Sequence, residues 1–294
     1  MLNDSLYLSR SLGLLANSAS SQNLVICVPG IGSPVPFSTL IVNRMPDLGL
    51  LSACQCLPRW RYEKKAPAKE NLFEKDRETI DAFERIDNIT DAALQRFIAE
   101  YRDDTITKDD IFYYVYGLFH SPEYKERFAF DLKKSLPRIP FAPDFHAFAF
   151  AGKALAALHL DYERASLYPL QTKCADGSPE PSAEQCLMGK RKMRFADKER
   201  KDVLIVNDFV RLEGIPPEAH AYQVNGRTPL GWLIDRMHIK EYEEIGIVND
   251  ANHRFDDPRD LLDLIRRLVY ISIESDRIIR GLPQPFAGDL DAHR

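Results

Sequence analysis

The sequence predicts a mixed α/β protein of the α+β class, in which a strand-rich part is packed on a bundle of helices. Short apolar runs separated by glycine and proline fill the first sixty residues, and capped amphipathic segments follow from about residue 90. A length of 294 residues with 45% hydrophobic and 28% charged residues suits a globular chain with a large core. We therefore expect one domain over 1–294, with sub-parts at 1–62 (strand-rich), 72–165 (helical) and 166–294 (mixed strand and helix).

Two strands are predicted near the start of the chain. The apolar runs at 23–28 and 37–43 are separated by the sequence PGIGSPVP, which is typical of a turn-rich connection. This connection lacks the Gly-Lys-Ser/Thr of a phosphate loop, and Ser33 is followed by Pro34 rather than by the spaced glycine of a nucleophile elbow. Its backbone amides remain available to bind an oxygen atom.

Helices are predicted from Thr90 onward. Thr90 is placed to cap a helix that runs to about Tyr101, and Thr107 with Asp110 resembles a capping box for the next helix. Ser121 with Pro122 starts a third helix, which Pro137 ends. Its predicted inner face carries apolar residues four apart, namely Tyr124, Phe128, Leu132 and Leu136.

A fourth helix is predicted to begin at Asp144. A stripe along it holds Phe148, Gly152, Leu155 and His159, and the small residue allows another element to approach closely. The stretch 113–141 carries no catalyst-like side chain, so its packed helices indicate a rigid frame.

The second half of the chain alternates loops, strands and helices. Residues 174–189 are poor in large apolar groups and predict a mobile loop. Strands are predicted within 202–216, with a turn at Gly214, and at 220–224. A short helix is expected at 228–238, and a long helix capped by Asp257 is expected to end at Gly281.

Catalytic and metal-binding patterns are not recognisable in the sequence. The five cysteines are odd in number, which argues against a disulfide framework. Cys54 and Cys56 could be combined with the distant Cys174 and Cys186, but without the Cys-x-x-Cys spacing typical of zinc sites we expect no metal site. Three of the seven histidines, His120, His146 and His159, fall within or beside predicted helical segments, where packing roles are common. We therefore predict no catalytic and no cofactor-binding residue.

Charge is unevenly distributed along the chain. The net charge is −5, yet the run from Lys190 to Lys201 holds seven basic residues against two acidic ones. Residues Glu241 to Asp260 hold seven acidic residues against two arginines. Clustered Lys and Arg are what phosphate binding requires, so the first run is a candidate contact for nucleic acid, or else a solvated charged surface.

Several long blocks resemble, in order, the C-terminal specificity part of type ISP restriction-modification enzymes. They are NLVICVPGIGSPVPFSTLIVNRMPDLGLLSACQCLPRWRYE, ITKDDIFYYVYGLFHSPEYKERFAFDLKKSLPRIPF, FHAFAFAGKALAALHLDYE, YQVNGRTPLGWLIDR and GIVNDANH. The segment LPRWRYE departs from the aromatic-rich pattern of that family, so Trp60 and its neighbouring arginines are either altered packing or a sequence-specific contact.

The resemblance implies DNA recognition within a larger enzyme. Full-length members carry a nuclease, an ATP-driven helicase-like translocase and an adenine methyltransferase, whose Asn-Pro-Pro-Tyr and Walker motifs this sequence lacks. The chain then represents the recognition end, or a free-standing equivalent, and is not an enzyme by itself. S-adenosylmethionine, ATP and Mg would serve only the missing upstream domains, among them the methyltransferase domain that would be its partner in the parent polypeptide.

The other expected partner is double-stranded DNA, in the cytoplasm, and no apolar stretch approaches the roughly 20 residues of a membrane span. Residues predicted to contact DNA are basic or polar groups in loops and at strand ends: Lys190, Arg191, Lys192, Arg194, Lys173, Ser33 and Arg10. A protein-binding scaffold and an enzyme with an unrecognised site are the alternatives.

Overall fold

The computed structural model describes residues 23–64 and 83–286. The chain divides into two compact units, unit one (Met1–Leu160 with Gly281–Arg294) and unit two (Asp161–Arg280). Helices and small antiparallel sheets occur in both, which confirms the predicted α+β class. The single specificity domain with three sub-parts stays a prediction.

Unit one begins with a three-stranded antiparallel sheet in the order β2-β1-β3. Its strands are β1 (Val25–Val28), β2 (Leu40–Val42) and β3 (Gln55–Pro58). All four residues of the central strand β1 are buried, as its unbroken apolar run requires. The two predicted strands are confirmed. A separate two-stranded sheet pairs β4 (Trp60–Lys64) with β5 (Phe83–Asp87).

Four helices complete the described part of unit one. They are α1 (Asp91–Tyr101), α2 (Lys108–His120), α3 (Pro122–Arg127) and α4 (Phe145–Leu160). The hydroxyl oxygen of Thr90 accepts a hydrogen bond from the amide of Ala93, and Thr107 forms a reciprocal capping box with Asp110. Both predicted helix starts are confirmed.

Helices α2 and α4 approach each other through two glycines. A Cβ atom on Gly152 would lie 1.9 Å from the carbonyl oxygen of Tyr113, and one on Gly117 would lie 2.2 Å from that of Phe148. Only glycine leaves room for backbones this close. The predicted close approach at Gly152 is therefore confirmed.

Tyrosine hydroxyls anchor the segment that follows these helices. The hydroxyl of Tyr114 donates to the carbonyl of Pro140 and accepts from the amide of Ala142, while that of Tyr124 donates to the carbonyl of Arg138. Both rings are buried, so each ring packs in the core while its hydroxyl fixes a stretch without secondary structure. The interpretation of 113–141 as a frame is confirmed.

The third helix is shorter than the sequence predicts. It ends at Arg127, and a single 3-10 turn covers Asp131–Lys133 before the chain reaches Pro137. Because Pro137 has no N–H to bond back four residues, the carbonyl of Lys133 instead accepts a hydrogen bond from the amide of Gly32. This contact to a distant loop replaces the last predicted turn.

Unit two contains a four-stranded antiparallel sheet in the order β6-β9-β8-β7. Its strands are β6 (Gln171–Cys174), β7 (Arg194–Phe195), β8 (Val203–Ile205) and β9 (Val210–Glu213). The predicted strand at 220–224 is wrong, because Pro217 begins a 3-10 turn that runs to His220.

The rest of unit two is two helices and a hairpin. They are α5 (Pro229–Arg236), the hairpin of β10 (Lys240–Tyr242) and β11 (Ile247–Asn249), and α6 (Asp260–Arg280). One core contains Leu204 and Leu212 from the sheet with Leu230 and Ile265 from the helices. Within the described residues, no helix is long and apolar enough to cross a membrane.

Candidate nucleic-acid interface

The four-stranded sheet of unit two separates a core face from an outward face. Side chains alternate along a strand, so buried Val210 and Leu212 of β9 point inward while exposed Arg211 between them points outward. Arg211 is therefore held by a strand whose neighbouring residues are fixed in the core.

A basic row crosses the outward face. Strand pairing places Lys173 of β6 opposite Arg211 of β9, Arg211 opposite Ile205 of β8, and Ile205 opposite Arg194 of β7. Three inter-strand spacings of about 4.8 Å separate the ends of the row by about 14 Å. We call Lys173, Arg211 and Arg194 the sheet row; all three are exposed.

Two of these three cations are free of local carboxylates. The guanidinium of Arg211 lies 3.0 Å from the carboxylate of Glu213 on the same strand. Among the described residues, no carboxylate oxygen lies within 4.0 Å of the charged groups of Lys173 or Arg194. The row therefore presents positive charge to solvent at both ends.

Lys190, Arg191 and Lys192 form a second basic group, the basic loop, on a short exposed segment. Buried Met188 and Met193 enter the core of unit two on either side of it. The side chain of Asn252 accepts a hydrogen bond from the amide of Met188 and donates one to its carbonyl. These contacts hold a loop end that the sequence had predicted to be mobile.

Each cation of the basic loop has an acidic partner. Lys190 lies 2.8 Å from Glu241, Arg191 lies 2.9 Å from Asp208, and Lys192 lies 2.9 Å from Asp235. The bonds from Lys192 and from Arg227 lower the pKa of Asp235 to about 2. The seven basic residues of the sequence run thus do not make a uniformly positive surface.

Ser33 lies in unit one, whereas the sheet row belongs to unit two. It lines a cavity of about 470 Å³ together with Gly30, Phe37, Lys125 and Lys133. Its hydroxyl accepts a hydrogen bond from the amide of Val35, so it stabilises its own turn. Arg10 lies outside the described residues.

The first arginine of LPRWRYE, Arg59, has a packing role. Arg59 is 5% exposed, pairs with Asp87 and Asp109, and stacks its guanidinium 3.9 Å from the ring centre of Trp60. A buried arginine bound by two carboxylates holds elements together. Of the two alternatives for this segment, altered packing or a sequence-specific contact, the surroundings of Arg59 favour altered packing.

The structure therefore places Lys173 and Arg194 in one row on unit two, whereas Ser33 belongs to unit one. Arg211 completes that row and was missed in the sequence. Its signal was the alternation in Val210–Glu213, where an arginine stands between two buried apolar residues.

Residues 2–264 match the type ISP C-terminal specificity domain, and the chain belongs to that family. None of the curated proteins matches it.

Three solved structures share its fold. The type ISP restriction-modification enzyme LlaGI, as a nuclease-deletion mutant in complex with a DNA substrate mimic, is 29% identical with a TM-score of 0.71, over 92% of this chain and 18% of that chain. The ATP-dependent type ISP enzyme LlaBIII bound to DNA is 30% identical with a TM-score of 0.76. The match covers 92% of this chain and 16% of that chain. The protein chain of the DrdV–DNA complex is 30% identical with a TM-score of 0.74. The match covers 90% of this chain and 25% of that chain. This chain spans a quarter or less of each.

Proposed function

We propose that this chain recognises a DNA sequence as the specificity module of a larger restriction-modification enzyme. Membership of the specificity-domain family supports this, as do three relatives described in complex with DNA or a DNA mimic. The observation that carries the proposal is the sheet row, a rigid set of outward cations. Its partners are double-stranded DNA and the upstream methyltransferase domain of the same polypeptide, in the cytoplasm.

Catalysis belongs to other parts of that enzyme. S-adenosylmethionine, ATP and Mg would be bound by upstream domains, and this chain would contribute recognition alone. The residues we assign to DNA contact are the sheet row, the basic loop, and, less centrally, Ser33 and Arg10.

The sheet row fits the chemistry of duplex recognition. Arginine binds the O6 and N7 atoms of guanine with two hydrogen bonds, and lysine or arginine neutralises phosphates. A row about 14 Å long is comparable to the roughly 12 Å width of the major groove, so its two ends can reach groups on opposite sides of the groove.

The basic loop is a weaker candidate for direct contact with DNA than the sheet row. An exposed ion pair stabilises a protein by only about 0.2 to 1 kcal/mol, so these cations can exchange their partners for phosphates at small cost. The released carboxylates of Glu241, Asp208 and Asp235 would then repel DNA. We expect the loop to add less to binding than the sheet row does.

Selection from a randomised duplex library tests the function itself. The full chain should enrich a discrete sequence, which fluorescence anisotropy then measures as specific binding over a scrambled duplex. A library that stays random after selection would refute DNA recognition and favour the protein-binding scaffold or the unrecognised enzyme.

Salt dependence tests which residues make the contact. Each neutralised phosphate adds about 0.9 to the slope of log affinity against log salt, so replacing Lys173, Arg194 and Arg211 with alanine should flatten the slope by about 2 to 3. The same change at Lys190, Arg191 and Lys192 should flatten it by about 1 at most. A larger effect of the loop variant would move the contact to the loop.

A matched control removes three exposed cations elsewhere in unit two. Arg259, Arg277 and Arg280 are each paired with a nearby carboxylate on or next to α6. Their replacement with alanine changes the net charge by the same amount, and the slope should stay as in the wild type. An equal flattening in this control would mean that overall charge, and not the sheet row, sets the affinity.

A further inference from the structure

Three cysteines come together on the sheet of unit one. Cys27 lies on β1, Cys56 on β3, and Cys54 just before β3; their three Sγ atoms all lie within 4.8 Å of one another. The sequence allows Cys54 and Cys56 to be combined with Cys174 and Cys186, but it predicts no metal site. Those two cysteines lie in unit two, and the third member of the cluster is Cys27 instead.

Strand geometry explains why the three side chains meet. Cys27 and Cys56 are directly opposed partners in the antiparallel pairing of β1 with β3, so both project to the same face. Cys54 precedes Cys56 by two residues, which is the spacing that returns a side chain to that face. The amide of Cys54 donates to the carbonyl of Leu48, which fixes its position.

The turn before Cys54 is built to hold it there. Ser52 and Ala53 both have left-handed backbone conformations, with φ of 57° and 56°. The amide of Gly30 bonds to the carbonyl of Ser52, and a Cβ on Gly30 would lie 2.3 Å from the carbonyl oxygen of Ala53. Two uncommon residue conformations are thus retained next to the cluster by contact with a glycine.

We propose that Cys27, Cys54 and Cys56 form a binding site for a thiophilic metal cation of the Zn²⁺ class. Zinc binds thiolate sulfur at about 2.3 Å, so two sulfurs of a tetrahedral site lie about 3.8 Å apart. The cluster is within about 1 Å of that spacing. Three protein ligands leave a fourth position for water or another small ligand.

Burial supports a metal site over a chance meeting of thiols. Cys27 and Cys54 are 0% and 4% exposed, and Cys56 is half-buried. Two nearly inaccessible ligands and one at the margin give a site that is shielded from water yet open to a small cation.

The alternative is that the cysteines fill the core as small apolar residues, as free cysteines often do. The two interpretations differ in what they predict for added metal. A packing role gives no binding, whereas the proposed site binds one cation, releases thiol protons and ties β1 to β3.

Cobalt substitution provides the direct test. The reduced, metal-free full chain should bind one equivalent of Co²⁺ with a thiolate charge-transfer band in the near ultraviolet and tetrahedral ligand-field bands, and Zn²⁺ should displace it. Cys56→Ser should abolish these bands. The double variant Cys174→Ser and Cys186→Ser is the matched control and should keep them. Unchanged bands in Cys56→Ser, or no bands in the wild type, would overturn the proposal.

A second measurement needs no variant. Cys56 and Cys174 are both half-buried, so they form a matched pair within one chain. Zn²⁺ should slow the alkylation of Cys56 several-fold and leave Cys174 unchanged, as followed by peptide mass spectrometry. Equal rates at Cys56 with and without Zn²⁺ would overturn the proposal even if the variant failed to fold.

Discussion

At Lys125, burial in unit one lowers the pKa of the ammonium group to about 8. The side chain lines the cavity that also contains Ser33. Among the described residues, no carboxylate lies within 4.0 Å of it. A half-buried cation without a counter-charge destabilises the folded state, because desolvation disfavours the charged form.

The free energy of unfolding should therefore rise in mild alkali. The unfolded chain keeps the lysine protonated to about 10.4 whereas the folded chain releases its proton near 8, so unfolding takes up a proton between these values and stability increases with pH. We expect about 1 to 2 kcal/mol between pH 7 and 9.5, by urea denaturation. Lys125→Met should lack this rise relative to the wild type; parallel curves for the two proteins would contradict the assignment.

His159 gives a pH dependence of the same sign, but in the acid range. It is 8% exposed, its Nδ1 lies 2.7 Å from the hydroxyl of Tyr116, and burial lowers its pKa to about 4. The unfolded chain binds the proton first as the pH falls below about 6.5, so stability decreases on acidification.

His159 should account for a definite part of this acid sensitivity, to which the buried His120 also contributes because burial lowers its pKa too. Between pH 7 and 5 His159 should account for a loss of about 2 kcal/mol in the free energy of unfolding. His159→Gln removes the titrating group and retains a polar side chain. The difference between wild type and variant should shrink as the pH falls; a constant difference would show that folding does not lower the pKa of His159.

At the scale of an element, the contact between α2 and α4 depends on Gly152. Alanine in an open helix normally gains up to about 1 kcal/mol over glycine. Here the new Cβ would lie 1.9 Å from the backbone of Tyr113, so the helices must separate. Gly152→Ala should lower the free energy of unfolding by about 3 kcal/mol or more.

Gly189 is the control for this substitution. It has no atom within 4 Å of an added Cβ, so Gly189→Ala should change stability by only about 0.5 kcal/mol. Chemical denaturation of both variants makes the comparison. A small loss for Gly152→Ala would mean that the two helices adjust freely.

Local sequence signals were sufficient to predict where helices begin. Features that depend on contacts between distant parts of the chain could not be predicted from the sequence. Thr90 and Thr107 act on residues three positions away, so their capping roles are legible in the sequence. The 3-10 turn after α3, by contrast, accepts at the carbonyl of Lys133 a hydrogen bond from Gly32, about a hundred residues earlier in the chain. No local pattern contains that bond.

The candidate DNA-binding site also has a part that the sequence predicts and a part that only the fold reveals. Charge alone identified Lys173 and Arg194 as candidates, because both are basic residues near predicted loops. Their membership of one row, with Arg211 between them, follows from strand register across β6, β9, β8 and β7. Register is a non-local property, and so is the ion pairing that weakens the case for the basic loop.

At the scale of the whole molecule, we expect this chain alone to transfer no methyl group and hydrolyse no ATP. Its sequence contains neither the Asn-Pro-Pro-Tyr motif of the methyltransferase nor a Walker motif. Radiolabelled methyl transfer to its selected duplex and phosphate release from ATP with Mg are the measurements. Activity above that of a heat-denatured sample in either assay would contradict this expectation.

The alternation along β9 also bears on how such a domain can diversify. Val210 and Leu212 hold the strand in the core, while Arg211 between them touches only the outward surface. Exposed substitutions usually change stability by no more than about 0.5 kcal/mol, so the outward positions can vary almost independently of folding. New target preferences can therefore arise by exchanging a few side chains on an unchanged scaffold, without a compensating change in the core.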